Sequence, residues 1–363
     1  VATVYTSQKI SKFVQTASGV GKMNIQDQLQ TTIELLVQKG KGILAADESS
    51  PTIAKRFDAI NVESTAEQRR RYRSLILETA SLGDYISGII LFEETLAQQT
   101  DDGTLLPELA AQQGVVPGIK VDKGKGPLAN APGDEITQGL DGLAQRLEGY
   151  KAQGARFAKW RNVYHISDNT PSRLAIEANA EVLARYAAIC QAQGIVPIVE
   201  PEVLMDGDHG IERCAEISEA VLHALFHALH RHHVVLEHAL LKPSMVTPGN
   251  AYARPAKPDE VARETVRILR RTVPAALPSI NFLSGGQTPE EATANLNAMN
   301  RLTPQPWELS FSYGRALQQP ALQAWKGEPG NVAAAQAALY KRAALNGAAR
   351  RGEYQSAMES VGE

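Results

Sequence analysis

Apolar β-rich runs recur along this chain roughly every 30–45 residues, with amphipathic patterns of helical period between them. The runs are Gly42 to Asp47, Ser87 to Phe92, Val115 to Lys120, Phe157 to Arg161, Ile195 to Glu200, Ala239 to Lys242, Ser279 to Ser284 and Leu309 to Gly314. Between them, apolar residues at i, i+3 and i+4 predict helices over Thr65 to Glu78, Gly139 to Gln153, Arg173 to Gln193, Gly210 to His230, Lys257 to Arg271 and Pro289 to Met299. An Ala-rich helix over Val332 to Ala349 follows the last run. That layout is one of repeated βα units. Eight βα units, with no Gly-x-Gly-x-x-Gly turn, favour a closed (β/α)8 TIM barrel over an open doubly wound sheet. No composition break splits the pattern. The expected organisation is an N-terminal arm or leader over 1–24, one barrel domain over 25–349, and a C-terminal tail over 350–363.

In a closed barrel of this kind, chemistry gathers at the C-terminal ends of the strands. Here those ends are polar: Asp47 and Glu48, Lys120 and Asp122, Lys159 and Arg161, Glu200 and Glu202, Lys242, Ser284, then Ser312 with Arg315. Alternation along a strand puts Lys159 and Arg161 on one face, and Glu200 and Glu202 on one face of the next strand. Taken singly, each charge reads as a solvated strand end. Seven polar ends of eight read as a site.

Lys242 closes the apolar run Ala239-Leu240-Leu241. One reading is a snorkelling side chain with its head in water. The other is a desolvated amine, its pKa pushed down from ~10.4 by burial and by a second cation such as Lys159, free to attack a carbonyl and form a Schiff base. That route needs carboxylates to move protons, and Glu200, Glu202 and Asp47 are the candidates. Leu283-Ser284-Gly285-Gly286-Gln287 and Ser312-Tyr313-Gly314-Arg315 offer backbone amides and a guanidinium fork for a phosphate. Alone, Ser-Gly-Gly would read as a plain turn.

Composition narrows the field. The 363 residues carry a net charge of −3, and the pI is near 6.3, which gives no reason to expect nucleic acid or an anionic membrane as partner. Cys190 and Cys214 form no framework and fit buried thiols of a reducing compartment. Val1 to Asn24 contain no acid, several Ser and Thr, and Lys9, Lys12 and Lys22. This segment reads as an organelle-targeting remnant or an ordinary arm, with the cytoplasm as the favoured address. His223, His227 and His230 fall at i, i+4 and i+7, a metal-like spacing, with His232, His233 and His238 nearby. Val221, Ala224, Leu225 and Ala228 define the buried stripe of that helix and set the histidines on its flank, outside the barrel.

These segments, in this order, resemble the class I fructose-1,6-bisphosphate aldolases. The matching stretches are Gly42-Ile-Leu-Ala-Ala-Asp-Glu-Ser49, Ile90-Leu-Phe-Glu-Glu-Thr-Leu96, Gly118-Ile-Lys-Val-Asp-Lys-Gly124 and Phe157-Ala-Lys-Trp-Arg161. They continue with Val196-Pro-Ile-Val-Glu-Pro-Glu202, Leu240 through Gly249, Phe282-Leu-Ser-Gly-Gly-Gln287 and Phe311-Ser-Tyr-Gly-Arg-Ala-Leu-Gln318. The resemblance covers about Ile33 to Ala349. It implies a metal-independent homotetramer without cofactor, acting on a small phosphorylated sugar in glycolysis and gluconeogenesis. It further implies Lys242 as the Schiff-base lysine, Glu200 as general acid/base, Asp47 and Lys159 beside it, and Glu202 nearby. Ser284, Gly285, Gly286, Ser312, Gly314 and Arg315 would hold the ketone-side phosphate, while Lys120, Ser49, Thr52, Lys55, Arg56 and Arg161 would serve the other phosphate or the sugar hydroxyls.

Two departures stand out. Where many members have Thr-Gly-Ser after Asp-Glu-Ser, this chain has Ser50-Pro51-Thr52, which predicts a stiffer loop. Many animal and plant members also end in a tyrosine that helps protonate the enamine carbon; this sequence ends Ser360-Val361-Gly362-Glu363, with Tyr354 the nearest tyrosine, so enamine protonation is expected to be slower or to use Tyr354. Two other readings stay in view: another lysine Schiff-base enzyme, transaldolase-like or a keto-acid aldolase, and a catalytically idle scaffold. Two phosphate-anchoring regions argue for a bisphosphate, and an intact Lys242 with Glu200 argues for catalysis.

Overall fold

The computed structural model describes Ile10 and residues 23–360. The basic positions Lys9, Lys12 and Lys22 of the expected arm lie outside these residues, as do 361–363 of the expected tail.

Eight parallel strands close into a barrel: β1 Gly42–Ala46, β2 Ile86–Leu91, β3 Val116–Lys120, β6 Phe157–Tyr164, β7 Val196–Val203, β8 Leu240–Leu241, β9 Ser279–Phe282 and β10 Glu308–Tyr313. Each pairs with its chain neighbour, and β10 returns to β1 through Ile43↔Ser312 and Leu44↔Tyr313. The short antiparallel pair β4 Lys125–Pro127 and β5 Glu135–Thr137, a hairpin the apolar pattern did not mark, interrupts the count between β3 and β6. Both its strands are three residues long, β4 mostly exposed and β5 half-buried, and such short strands carry no hydrophobic alternation to read.

All eight expected runs are strands, and β6 and β7 extend three residues beyond their expected ends, pairing from Phe157↔Val196 to Tyr164↔Val203. That extension carries Glu202 upward within a continuous ladder that also holds Arg161, which fixes their facing. β8 is short because Pro243 has no N–H to donate; its last ladder bond runs from Lys242 N to Val199 O, 2.8 Å. Lys242 is thereby held at the strand end by its own backbone.

Helix Ile25–Leu36, capped by the Asn24 side chain on Asp27 N, plugs the N-terminal end of the barrel. Its Leu29, Ile33 and Leu36 join Ile43, Ile90, Val116, Phe157, Val196, Ile198 and Leu240 in one buried cluster. The Phe157 ring fills the floor so tightly that a Cβ on Gly118 would lie 2.3 Å from its Cζ, and one on Gly88 would lie 2.6 Å from Leu36 Cδ2. Among the described residues this end is sealed, and the opposite mouth carries the polar strand ends.

The seven helices expected from periodicity are present, within a few residues of their expected ends. Helices Ser50–Asp58, Leu106–Gln112 and Arg315–Trp325 were not marked by the pattern. Ser50-Pro51-Thr52 is not a stiffened loop: Pro51 sits in the first helical turn, where its fixed φ and missing N–H cost nothing. Helix Arg315–Trp325 carries Pro320 in its interior, which masks it in the sequence. Among the described residues, no helix is long and apolar enough to cross a membrane.

Candidate active site

The open mouth of the barrel holds a cavity of about 430 Å³. Its walls include Asp47, Ser49, Thr52, Lys55, Arg56, Lys120, Lys159, Arg161, Glu200, Glu202, Lys242, Ser284, Gly285, Ser312, Gly314 and Arg315. Of the residues assigned from sequence, Gly286 is the one the fold turns away: it lines an adjoining groove with Gln287, beside Met205.

At the centre, four charges share contacts, three of them buried and Asp47 half-buried. Lys159 Nζ lies 2.7 Å from Asp47 Oδ2 and 3.1 Å from Glu200 Oε2, and Lys242 Nζ lies 3.1 Å from Glu200 Oε1. Lys242 is 3% exposed, which removes the snorkelling alternative. Two ammoniums thus face two carboxylates, and Glu200 bridges both amines. Burial alone would raise the Asp47 carboxyl, but Lys159 first, then Lys242, hold it well below the ordinary carboxylate range. Burial alone would lower Lys159, but Asp47, Glu200 and Asp122 hold it above the ordinary lysine range. Lys159 is therefore a fixed cation at neutral pH.

Around this centre the other expected groups are tied in place. Arg161 Nε donates to Glu202 Oε2, two residues beyond its ladder partner Glu200. Lys120 Nζ bonds Asp122 Oδ1 at 2.6 Å. Ser49 Oγ and Thr52 Oγ1 lie 3.0 Å apart at the start of helix Ser50–Asp58, both hydroxyls at the rim.

The loop after β9 and the start of helix Arg315–Trp325 meet at the mouth. Gly285 has φ +56°, a left-handed conformation open to glycine. Gln287 braces the turn through Nε2 to Ser284 O, 3.0 Å, and accepts from Asn295 Nδ2 at 2.7 Å. Arg315 Nη2 donates to Gly285 O, which lays its guanidinium across the gap between the two segments. Ser312 Oγ is buried and has no hydrogen-bond partner among the described residues, so it is available to a bound oxyanion.

Three groups singled out from sequence lie elsewhere. His223, His227 and His230 are exposed on the outer face of helix Ile211–Arg231, whose Val221, Leu225 and Ala228 are buried. Cys190 and Cys214 are buried free thiols whose pKa burial pushes up. Tyr354 does not reach the mouth: its hydroxyl donates to Glu359 Oε1 at 2.9 Å, its amide donates to Asn297 Oδ1, and its ring lines the adjoining groove. The expectation that it supplies a proton to the enamine is corrected on that ground.

One wall residue was passed over in the sequence. Glu48 was noted as a polar strand end but given no role; it is buried and meets Arg56, Arg73 and Gln318.

The geometry can be set beside known proteins. The family described as Fructose-bisphosphate aldolase class-I matches residues 28–363. The chain belongs to the class I fructose-bisphosphate aldolase family. It is 56% identical over 330 residues to a probable fructose-bisphosphate aldolase class 1 of Xanthomonas campestris pv. campestris, covering 91% of this chain and 99% of the relative. The non-muscle type fructose-bisphosphate aldolase of Lethenteron camtschaticum is 56% identical, with 92% of each chain covered. A solved fructose-bisphosphate aldolase from Plasmodium falciparum, in ternary complex with TRAP and a small-molecule inhibitor, superposes with a TM-score of 0.91 at 51% identity, covering 92% of this chain and 97% of that one. The family is one of carbon–carbon lyases, and the polar barrel mouth is where a lyase of this fold holds its substrate.

Proposed function

We propose that the mouth of this barrel cleaves fructose 1,6-bisphosphate reversibly into dihydroxyacetone phosphate and glyceraldehyde 3-phosphate, with Lys242 as the imine-forming residue. The observation that carries the reading is the pair of contacts on Glu200: one carboxylate, 97% buried with both amines, touches Lys242 and Lys159 at 3.1 Å each.

The chemistry follows from that arrangement. Lys242 Nζ, once it passes its proton to Glu200, attacks the ketone carbon and forms a carbinolamine. Glu200 returns the proton to the departing hydroxyl, which leaves as water and gives the iminium ion. The bond between carbons 3 and 4 then breaks. Its electron pair moves into the iminium, a carboxylate takes the proton from the hydroxyl on carbon 4, and the aldehyde departs. The enamine takes a proton on carbon 3, and water releases the ketone product and the free amine. Asp47, Glu200 and Glu202 are the carboxylates within reach of these transfers, and Lys159 supplies a constant positive charge toward developing oxyanions. The iminium is the electron sink, so the route calls for neither metal nor further cofactor.

Phosphate placement sets the orientation. Ser284, Gly285, Ser312, Gly314 and Arg315 hold the ketone-side phosphate with backbone amides and one guanidinium. Ser49, Thr52, Lys55, Arg56, Lys120 and Arg161 line the rest of the mouth and hold the second phosphate and the hydroxyls. Gly286 is left out of this set. We further propose the assembly and address the resemblance implies, a homotetramer in the cytoplasm. Relatives named as cytosolic and cytoplasmic isozymes from Arabidopsis thaliana and Spinacia oleracea, 57% and 55% identical, support the second. The domain reading is one barrel over 25–349 with arm and tail.

Borohydride trapping with dihydroxyacetone phosphate in the presence of EDTA, followed by peptide mass mapping, tests the mechanism. The expected result is a reduced adduct on Lys242 and none in Lys242→Met. An adduct on Lys159, or cleavage activity abolished by EDTA, refutes it.

A further inference from the structure

Asp47 and Glu48 are adjacent in sequence yet serve different sets of cations. Asp47 meets Lys159 at the centre, whereas Glu48 meets the Arg56 guanidinium through Oε1 and Arg73 Nη2 through Oε2, the latter at 2.7 Å. Glu48 Oε1 also accepts from Gln318 Nε2 at 2.7 Å. Gln318 in turn donates to Ala45 O at 2.6 Å and accepts from the Tyr72 hydroxyl at 3.0 Å. Tyr72 and Gln318 are fully buried, and the Glu48 and Arg73 side chains are each 4% exposed. Both oxygens of Glu48 are therefore met by groups from three elements: helix Ser50–Asp58, helix Ala66–Leu77 and helix Arg315–Trp325.

The charges in this cluster do not cancel. One carboxylate faces two guanidiniums, which leaves one positive charge over. Arg73 does not line the cavity, whereas Arg56 does, with its side chain 24% exposed. The surplus charge is thus presented to the mouth by Arg56, whose Nη2 lies 4.0 Å from where a Cβ on Gly314 would stand. Burying Glu48 away from water is costly unless its partners are locked. The same locking removes rotamer freedom from the one partner that faces substrate.

We propose that Glu48 is a positioning residue, which aims the Arg56 guanidinium into the mouth at a substrate phosphate without touching substrate itself. The proposal rests on the reading of Arg56 as a phosphate ligand. It assigns a function to the second acid of the Asp47-Glu48 pair and to Gln318, 270 residues further along the chain.

Steady-state kinetics with fructose 1,6-bisphosphate and fructose 1-phosphate on Arg56→Ala, Glu48→Gln, Glu48→Asp and Glu48→Gln/Arg56→Ala test it, with thermal melts confirming the folded state. Losing a charge-assisted contact to phosphate raises KM by about ten-fold or more, with kcat changed far less. Arg56→Ala is expected to show this, and Glu48→Gln to show the same pattern across the two substrates. The double variant is expected to be no worse than Arg56→Ala within about two-fold, since the carboxylate acts only through the arginine. Glu48→Asp keeps the charge that Arg73 needs, so it folds even where the glutamine variant does not. It is expected to raise KM less than Arg56→Ala, again with no added effect in the Arg56→Ala background. If Arg56→Ala leaves both KM values unchanged, the phosphate reading falls and the proposal with it. If Arg56→Ala raises KM while both Glu48 variants leave it alone, or if the effects multiply in the double variant, the positioning role is overturned and the phosphate reading stands.

Discussion

Replacing Lys159 by Met puts a number on the central charge cluster. At an effective dielectric of ~20, the 2.7 Å contact to Asp47 is an attraction of about 6 kcal/mol and the 3.1 Å contact to Glu200 one of about 5 kcal/mol. Desolvation of three buried ions, several kcal/mol apiece, offsets most of that. Removing the cation leaves Asp47 and Glu200 facing Lys242 alone, and breaking such a buried cluster costs about 3–5 kcal/mol of folding stability. The loss depends on pH in a defined direction. In the wild type, Asp47 has a folded-state pKa below its unfolded value of ~3.9, so its pairing stabilises fully above that value and fades as pH falls toward the folded one. In Lys159→Met the same carboxyl loses its strongest cation, its folded-state pKa rises, and it takes up a proton at a higher pH than in the wild type. The stability gap between the two proteins is therefore widest near pH 7 and narrows below about pH 5. Urea unfolding followed by circular dichroism at several pH values from 7 to 4 measures it. Asp47→Asn/Lys159→Met, which removes one charge of each sign, is expected to regain at least ~1 kcal/mol over Lys159→Met at pH 7. A gap that stays constant with pH, together with a double variant no better than the single one, would refute the charge-balance argument and leave Lys159 as a packing residue.

Other consequences are smaller in scope. Gly118→Ala places a Cβ 2.3 Å from the Phe157 ring at the sealed end of the barrel, so it is expected to cost about 1–3 kcal/mol, and Phe157→Leu in the same chain to recover part of it; equal melting temperatures for Gly118→Ala and wild type would contradict the packing. Tyr354→Phe removes a hydroxyl that donates to Glu359 rather than to substrate, and is expected to exchange the ketone-side product's proton at the wild-type rate while losing about 1 kcal/mol of stability. A slowed exchange would restore Tyr354 as the tail acid. Arg315→Ala withdraws the guanidinium that bridges the Gly285 loop and the helix start, and is expected to raise KM about ten-fold or more for substrates bearing a ketone-side phosphate; unchanged KM would place that phosphate elsewhere.

Much of this protein was legible before folding. Parallel strands buried on both faces are rich in apolar residues, so eight short runs could be counted, and a barrel places their polar ends at one mouth. Lys242, Glu200, Asp47 and Lys159 stand out for that reason: a charge directly after an apolar run has few reasons to be there. What lay beyond the sequence was which charge meets which. Glu48 looked like one more solvated strand end until closure of β10 against β1 brought Gln318 beneath it and helix Ala66–Leu77 delivered Arg73. Gly286 stands one residue from Gly285, yet the left-handed turn at Gly285 sends it to the other side of the loop. Tyr354 lay close enough in sequence to a tail acid, but the buried Arg342 gathers Glu359 and with it the tyrosine's hydroxyl, away from the mouth. Periodicity and residue type are local properties, so the chain alone determined the strands, their polar ends and the class of chemistry. Pairing between charges depends on distances across the closed barrel and on which turns bend which way, and only the tertiary structure decided those.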